Sequence, residues 1–217
     1  MNVLVIDVGG SNLKILATGQ AERRRTPSGP NLTAQAMVTS VKKLAEGWAY
    51  DAVAIGYPGV VLDDQPVTEP HNLAPGWVNF DYCTAFGCPV KIINDAAMQA
   101  LGSFTAGKLL FLGLGTGLGS AMVIKGTVVQ MELAHLPYRK GTFEDYVGDH
   151  ARIRDGKKKW AGRVKDVVIR LTAALVPDEV VLGGGNARYL KTLPPLCRLG
   201  DNANAFVGGF RLFEEYP

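Results

Sequence analysis

The sequence predicts an α/β protein of two lobes, and three observations carry that reading. A β-branched apolar run, Val3 to Val8, meets a glycine turn at Asp7-Val8-Gly9-Gly10-Ser11-Asn12 and continues as a second strand, Leu13 to Thr18. The same strand–glycine turn–strand unit recurs from Lys108 as LLFLGLGTGLGSAMVIKG. After each unit, short apolar strands alternate with helical segments, the pattern of layered α/β units. The chain therefore reads as a loose duplication, with lobes at 1–92 and 93–217, a cleft between them, and a last helix that returns to the first lobe.

Each further element has its own signal. Residues 31–46 carry helical apolar spacing (Ala36, Val41, Leu44, Ala45), with Thr33 as N-cap and Gly47 as the stop. Ala52 to Tyr57 is a buried strand closed by Pro58-Gly59, and Asp63 to Gly76, with three prolines, is loop. Val90 to Ile93 is a strand that runs into Asn94-Asp95 and a helix from Ala96 to Ala106. Gly126-Thr127 turns the chain into Val128 to Met131, and Thr142 to His150 reads as helix. Lys157 to Leu175 places Trp160, Val164, Val167, Val168, Leu171 and Leu175 on one stripe of an amphipathic helix. Val180 to Leu182 is a strand ending in Gly183-Gly184-Gly185, a short helix starts at Asn186, and Ala203 to Phe210 closes the pattern.

Composition narrows the function classes. Of 217 residues, 47% are hydrophobic and 20% charged, enough for a core without disulfide or metal staples. A net charge of +3 is too mild for a nucleic-acid or membrane-surface protein on its global field. Cys83, Cys88 and Cys197 are too few and scattered for a disulfide framework or a cysteine-rich zinc site. The start MNVLVIDVGG has no basic region before its apolar run, and no stretch approaches the ~20 apolar residues of a membrane span, so a cytoplasmic protein is expected.

The 26 glycines cluster where strands end. Such turns let backbone N–H groups converge on phosphate oxygens. The P-loop pattern is absent, and the alternating glycines from Gly113 to Gly119 lead into a strand instead of a helix, which excludes a dinucleotide fingerprint. One such hairpin alone is equally a tight turn. Three glycine sites together, at 9–10, 113–119 and 183–185, favour a nucleotide cleft.

The ordered series DVGGSN, IINDAA, LGLGTGLGSA, ELAHL and VLGGGNA resembles the ROK sugar kinases of the actin-like ATPase superfamily (ribonuclease H-like fold), and among them the polyphosphate glucokinases. The resemblance implies a hexose kinase that moves a phosphoryl group from polyphosphate, ATP or both to the 6-hydroxyl of glucose. Another hexose or an amino sugar as acceptor, and a non-catalytic sugar- or nucleotide-binding relative, remain as alternatives. It also implies Mg²⁺ and a homodimer, with no nucleic-acid or membrane partner. Zinc is not implied, because PYRKGTFEDY has no cysteine where many members carry a cysteine-rich motif.

Phosphoryl transfer needs a phosphate cradle, charge neutralisation and a base. Asp95 ends a strand, opens a helix and follows Asn94. It equally suits a helix N-cap, and the resemblance makes it the base, with Asn94 as a sugar ligand. Glu132 and His135, spaced i, i+3, read alone as a polar pair under a loop; the resemblance assigns them to sugar hydroxyls. Glu144 is either a further sugar-binding carboxylate or an exposed helix residue. Asp7 suits Mg²⁺ held through water, with Gly9, Gly10, Ser11 and Asn12 as phosphate donors and Gly115, Thr116 and Gly117 opposite. Gly183, Gly184 and Gly185 resemble the adenosine-side turn, and Lys14 is either a phosphate ligand or an outward strand lysine. The runs Arg23-Arg24-Arg25 and Lys157-Lys158-Lys159 read as solvated faces. With polyphosphate as donor, Lys157, Lys158, Lys159 and Arg163 would line a cationic track.

Overall fold

The computed structural model describes residues 1–214, which fall into two compact units. Unit 1 holds residues 1–98 and the segment from Ala205 onward; unit 2 holds 99–204.

In unit 1, β1 (Val3–Val8), β2 (Asn12–Ala17), β3 (Arg24–Pro27), α1 (Ala34–Leu44), β4 (Ala52–Tyr57), the short pair β5 (Val61–Leu62) and β6 (Gln65–Pro66), α2 (Tyr82–Phe86), β7 (Val90–Asn94) and the start of α3 (Asp95–Ser103) follow in order. The sheet runs β3-β2-β1-β4-β7. β2 is antiparallel to β1 and β3, whereas β1, β4 and β7 are mutually parallel. β1 and β4 are buried at every position, as strands covered on both faces must be. One face packs against α1, which turns Ala34, Met37, Val38 and Val41 inward at helical spacing.

Unit 2 continues with β8 (Lys108–Leu114), β9 (Leu118–Ile124), β10 (Thr127–Met131), a 3₁₀ turn (Leu133–His135), the pair β11 (Pro137–Tyr138) and β12 (Gly141–Thr142), α4 (Glu144–Val147), α5 (Asp149–Asp155), α6 (Lys157–Leu175), β13 (Glu179–Gly183), a second 3₁₀ turn (Ala187–Tyr189) and β14 (Cys197–Leu199). Its sheet, β10-β9-β8-β13-β14, repeats the order and sense of the first. α6 buries Trp160, Val164, Val167, Val168 and Leu171, and Trp160 Nε1 donates to Val147 O at 2.7 Å, tying α6 to the end of α4. The last helix, α7 (Asn204–Arg211), lies against unit 1, where Gly209 meets Val5 and Lys91 Nζ donates to Leu212 O at 2.7 Å. Among the described residues no helix is long and apolar enough to cross a membrane.

Three expectations need correction. The helix over 142–150 is two helices broken where the backbone turns extended at Gly148 (ψ 171°), a position held to glycine because a Cβ there would stand 2.8 Å from Thr116 O and 3.0 Å from Glu144 O. The stretch 63–76 is not all loop, since Gln65–Pro66 pairs with Val61–Leu62. The basic run 23–25 contributes an edge strand: Arg24 donates to Leu44 O and Glu46 O at 2.6 and 2.9 Å and stacks 4.0 Å over Trp48, which completes the end of α1.

The topology sets where chemistry collects. Asp7, Gly56 and Asn94 stand at the carboxyl ends of the parallel strands of unit 1, and Gly113 and Gly183 are register partners at the matching end of unit 2. Ligands of open α/β sheets bind at that edge. Gly184 continues β13 with φ +79°, and a Cβ there would come within 2.5 Å of Leu114 O. Gly184→Ala should therefore lower unfolding free energy by about 3 kcal/mol in urea titrations, from backbone strain plus overpacking. Gly185→Ala, at an open position with an ordinary φ, should stay within about 0.5 kcal/mol of wild type.

Candidate active site

In unit 1, the first glycine turn is closed by its own backbone. Gly9 N–H donates to Asn12 O at 3.1 Å, and Ser28 clamps the turn through Oγ to Gly9 O (2.5 Å) and N–H to Ser11 O (3.1 Å). Asp7 is 9% exposed, and its register partner Lys14 brings Nζ to 2.7 Å from Asp7 Oδ2. Lys14 thus points toward the carboxylate instead of outward. Asn94 acts as the N-cap of α3: Oδ1 accepts the Ala96 and Ala97 N–H groups at 3.0 and 3.2 Å, while Nδ2 donates to Gly59 O at 3.1 Å. Asp95 is the first residue of that helix, and its Oδ1 accepts the Ala96 N–H at 2.8 Å. The long loop before it is anchored by Glu69, whose carboxylate accepts the N–H groups of Gly76, Trp77 and Val78 at 3.1–3.3 Å.

Unit 2 joins the other two glycine sites. Gly115 N–H lies 3.2 Å from both Gly113 O and Gly117 O, and Asp149 N–H donates to Gly115 O and Thr116 O at 3.1 Å. Asn186 is buried; its N–H donates to Leu114 O at 2.9 Å, and its Nδ2 donates to Gly115 O at 3.1 Å and Asp149 Oδ1 at 3.0 Å. Glu144 faces this loop: Oε2 accepts the Leu118 N–H at 3.1 Å and lies where a Cβ on Gly117 would be. Glu132 precedes the 3₁₀ turn and His135 ends it, both half or more exposed, with Oε2 and Nε2 3.8 Å apart. Ser120 holds the start of that turn, accepting the Leu133 N–H at 3.1 Å and donating to Met131 O at 2.8 Å.

The basic run divides. Arg163 ion-pairs with Asp155 and stacks over Tyr146, and Lys159 Nζ stands 3.7 Å from the same carboxylate. Lys157 turns the other way, 4.3 Å over the Tyr189 ring, while Lys158 is exposed. Bonds from Arg154 and Arg163 hold the Asp155 carboxyl down at about 2, and the bond from Arg152 keeps Asp149 below its usual value, helped by Asn186.

A magnesium ion fits this donor set in one way. Among the described residues no three His, Cys, Asp or Glu side chains are grouped to hold a metal ion. Asp7 supplies one nearly buried carboxylate beside a turn of backbone donors, and Mg²⁺ is commonly bound by one or two carboxylates completed by substrate phosphates and water.

The model of the ROK family matches residues 3–132, well over half of the chain. The chain belongs to the ROK family. Among curated ROK relatives, the polyphosphate glucokinase of Mycobacterium tuberculosis (strain CDC 1551 / Oshkosh) is 28% identical, with 88% of this chain and 80% of that protein covered. Among solved structures, the inorganic polyphosphate/ATP-glucomannokinase from Arthrobacter sp. strain KM superposes with a TM-score of 0.82 at 23% identity, covering 96% of each chain. A ROK family glucokinase from Streptomyces griseus in complex with glucose and AMPPNP gives 0.80 at 17% identity, covering 98% and 99%. These likenesses bear out the α/β fold expected from the resemblance of the ordered motifs.

Sequence reasoning missed Glu69, Asp149, Arg152, Asn186, Arg188 and Tyr189, because none stands in a glycine motif or a catalytic spacing except Asn186, which was read only as a helix start. The Asp155 shift has a consequence for pH. A carboxyl lowered in the folded state stabilises above the ordinary value near ~3.9 and loses that contribution as pH falls through its folded value. The stability difference between wild type and Asp155→Asn should be full at pH 5 and shrink steadily toward pH 2, followed by thermal unfolding at each pH.

Proposed function

We propose that this chain is a hexose kinase that transfers a phosphoryl group from polyphosphate, ATP or both to the 6-hydroxyl of glucose. The observation that carries the proposal is Asp95, set by the Asn94 cap at the carboxyl end of β7, in a chain whose relatives include a polyphosphate glucokinase. The two solved relatives, a glucomannokinase using polyphosphate or ATP and a glucokinase bound to glucose and AMPPNP, support the same acceptor and donor classes.

In this reading Asp95 accepts the proton of the sugar hydroxyl while the hydroxyl oxygen bonds to the terminal phosphorus of the donor. The bond from that phosphorus to its bridging oxygen breaks, and the electron pair leaves on ADP or on a polyphosphate shortened by one unit. Asn94 holds Asp95 at the helix start and serves as a sugar ligand beside it, and Glu132 and His135, exposed on their turn, accept and donate to sugar hydroxyls. Glu144 keeps Gly117 and Leu118 in place, and any sugar contact would fall to its other oxygen. The turns Gly9, Gly10, Ser11 and Asn12 and Gly115, Thr116 and Gly117 receive donor phosphates on backbone donors other than the Gly9 and Gly115 N–H groups, which are already bonded within their turns. In the turn Gly183 to Gly185, Gly183 and Gly184 let the chain pass Phe111 and Leu114, and Gly185 gives room for a nucleoside. Mg²⁺ carried by those phosphates, with Asp7 as its carboxylate, would neutralise charge on the donor, and Lys14 holds Asp7 in position. A cytoplasmic homodimer without a nucleic-acid or membrane partner belongs to the same reading.

Sugar phosphorylation, assayed over a panel of hexoses and amino sugars with each donor, tests the proposal directly; product from none of them overturns it. Asp95→Asn should lower kcat by about 10²–10⁴ with sugar affinity nearly unchanged, measured by coupled assay and by thermal shift with sugar. His135→Ala should instead raise the KM for the sugar by about tenfold and change kcat much less, as expected on losing one hydrogen bond to a ground-state hydroxyl.

A further inference from the structure

The turn after β13 gathers more positive charge than a nucleoside calls for. Tyr189 closes the 3₁₀ turn that follows Asn186, and three cations crowd its ring: Lys157 Nζ at 4.3 Å from the centroid, Arg152 Cζ at 4.8 Å and Arg188 Cζ at 4.9 Å. Any two of them therefore lie within about 10 Å, a Debye length at ~0.1 M salt, so their repulsion is only partly screened. Arg188 also donates to the Tyr189 hydroxyl at 2.9 Å, and this bond, with the Arg152 and Lys157 charges, lowers the phenol's pKa. Arg152 has an acid partner in Asp149 at 2.7 Å. Among the described residues Lys157 and Arg188 form no ion pair, and both are exposed.

The cluster is continuous with the second glycine loop. Asp149 pairs with Arg152 through the same Oδ1 that accepts Asn186 Nδ2, and Asn186 holds Gly115. Gly185, next to Asn186, is exposed and has nothing within 4 Å of its Cβ position. A phosphate received at Gly115–Gly117 thus borders a surface whose charge is excess positive. Adenine is neutral and leaves that excess uncompensated, whereas each further unit of a phosphate chain brings a negative charge. The rest of the basic run does not share in this, because Arg163 and Lys159 face Asp155.

We infer that Arg152, Lys157 and Arg188, assembled on Tyr189, bind the distal phosphates of an inorganic polyphosphate donor, as a subsite separate from the one that serves the transferred phosphate. The inference rests on the kinase reading for its purpose, though not for its binding test.

The test uses Lys157→Ala/Arg188→Ala, with Lys125→Ala/Lys165→Ala removing the same charge from exposed positions elsewhere on the unit. Equilibrium binding of end-labelled medium-chain inorganic polyphosphate is followed by fluorescence anisotropy, and sugar phosphorylation is assayed with polyphosphate and with ATP. The first variant should bind polyphosphate about tenfold or more weakly, and its KM for polyphosphate should rise as much with kcat held. Its KM for ATP should move less than about threefold, and the control pair should bind polyphosphate like wild type. Equal weakening in both variants would mean diffuse attraction to surface charge and overturns the subsite. So does an equal loss with ATP, which would make the cluster part of a nucleotide site, and so does unchanged polyphosphate binding. A wild type that phosphorylates no sugar with either donor sinks the kinase reading, while the anisotropy still decides the subsite.

Discussion

One buried amide holds the chemistry of the second unit together. Asn186 reaches Gly115 and Asp149 through Nδ2 while its backbone N–H is fixed on Leu114 O. Only a donor with two hydrogens can serve a carbonyl and a carboxylate at once, so Asp at this position would set two acceptors against a third. Glycine at 184 is the other half of the constraint: positive φ and the close pass of Leu114 bring Asn186 to its partners. The order of the second glycine loop, the direction of Asp149 and, through Asp149, the placement of Arg152 all follow from this junction.

Unit 1 solves a similar problem with side-chain oxygens as acceptors. Glu69 gathers the successive N–H groups of Gly76, Trp77 and Val78 in the loop before α2, Asp81 caps α2 through the Thr84 N–H at 2.9 Å, and Asn94 caps α3. Each is a short polar side chain satisfying backbone donors that would otherwise be orphaned. The result is that Asp95 and Asp7 are presented by rigid strand ends and capped turns, which suits chemistry that asks for positioning and charge more than for covalent steps.

Much of this was legible beforehand where one segment acts alone. The runs Val3–Val8 and Ala52–Tyr57 are continuous apolar β-branched stretches because both faces are covered, and Lys157–Leu175 shows its buried stripe in spacing alone. The short pairs β5/β6 and β11/β12 leave no signal in the sequence, and neither do three further elements. Arg24–Pro27 has no strand propensity and forms because β2 offers an edge and Arg24 finds α1 and Trp48. Tyr82–Phe86 is too short for periodicity, and Cys197–Leu199 is a strand only through its pairing with β13. The turn at Gly148 reads as helix interior, since Thr116 O, the nearest of the atoms that forbid a side chain there, comes from a distant loop.

The amino-acid pattern was sufficient for the α/β class, the duplicated hairpins, the glycine turns and the place of Asp95 at a helix start, because each depends on local backbone demands that leave a mark in residue type. The roles within clusters were not accessible that way. Lys157, Lys159 and Arg163 share one helix and one charge, yet they separate toward Tyr189 and toward Asp155 according to which partner each helical face meets. Arg152, Arg188 and Tyr189 carry no motif at all and become a site only when α5, α6 and the turn after β13 converge. Charge is written in the chain, but its neutralisation depends on distances between residues far apart in sequence, and those distances exist only once the chain is packed.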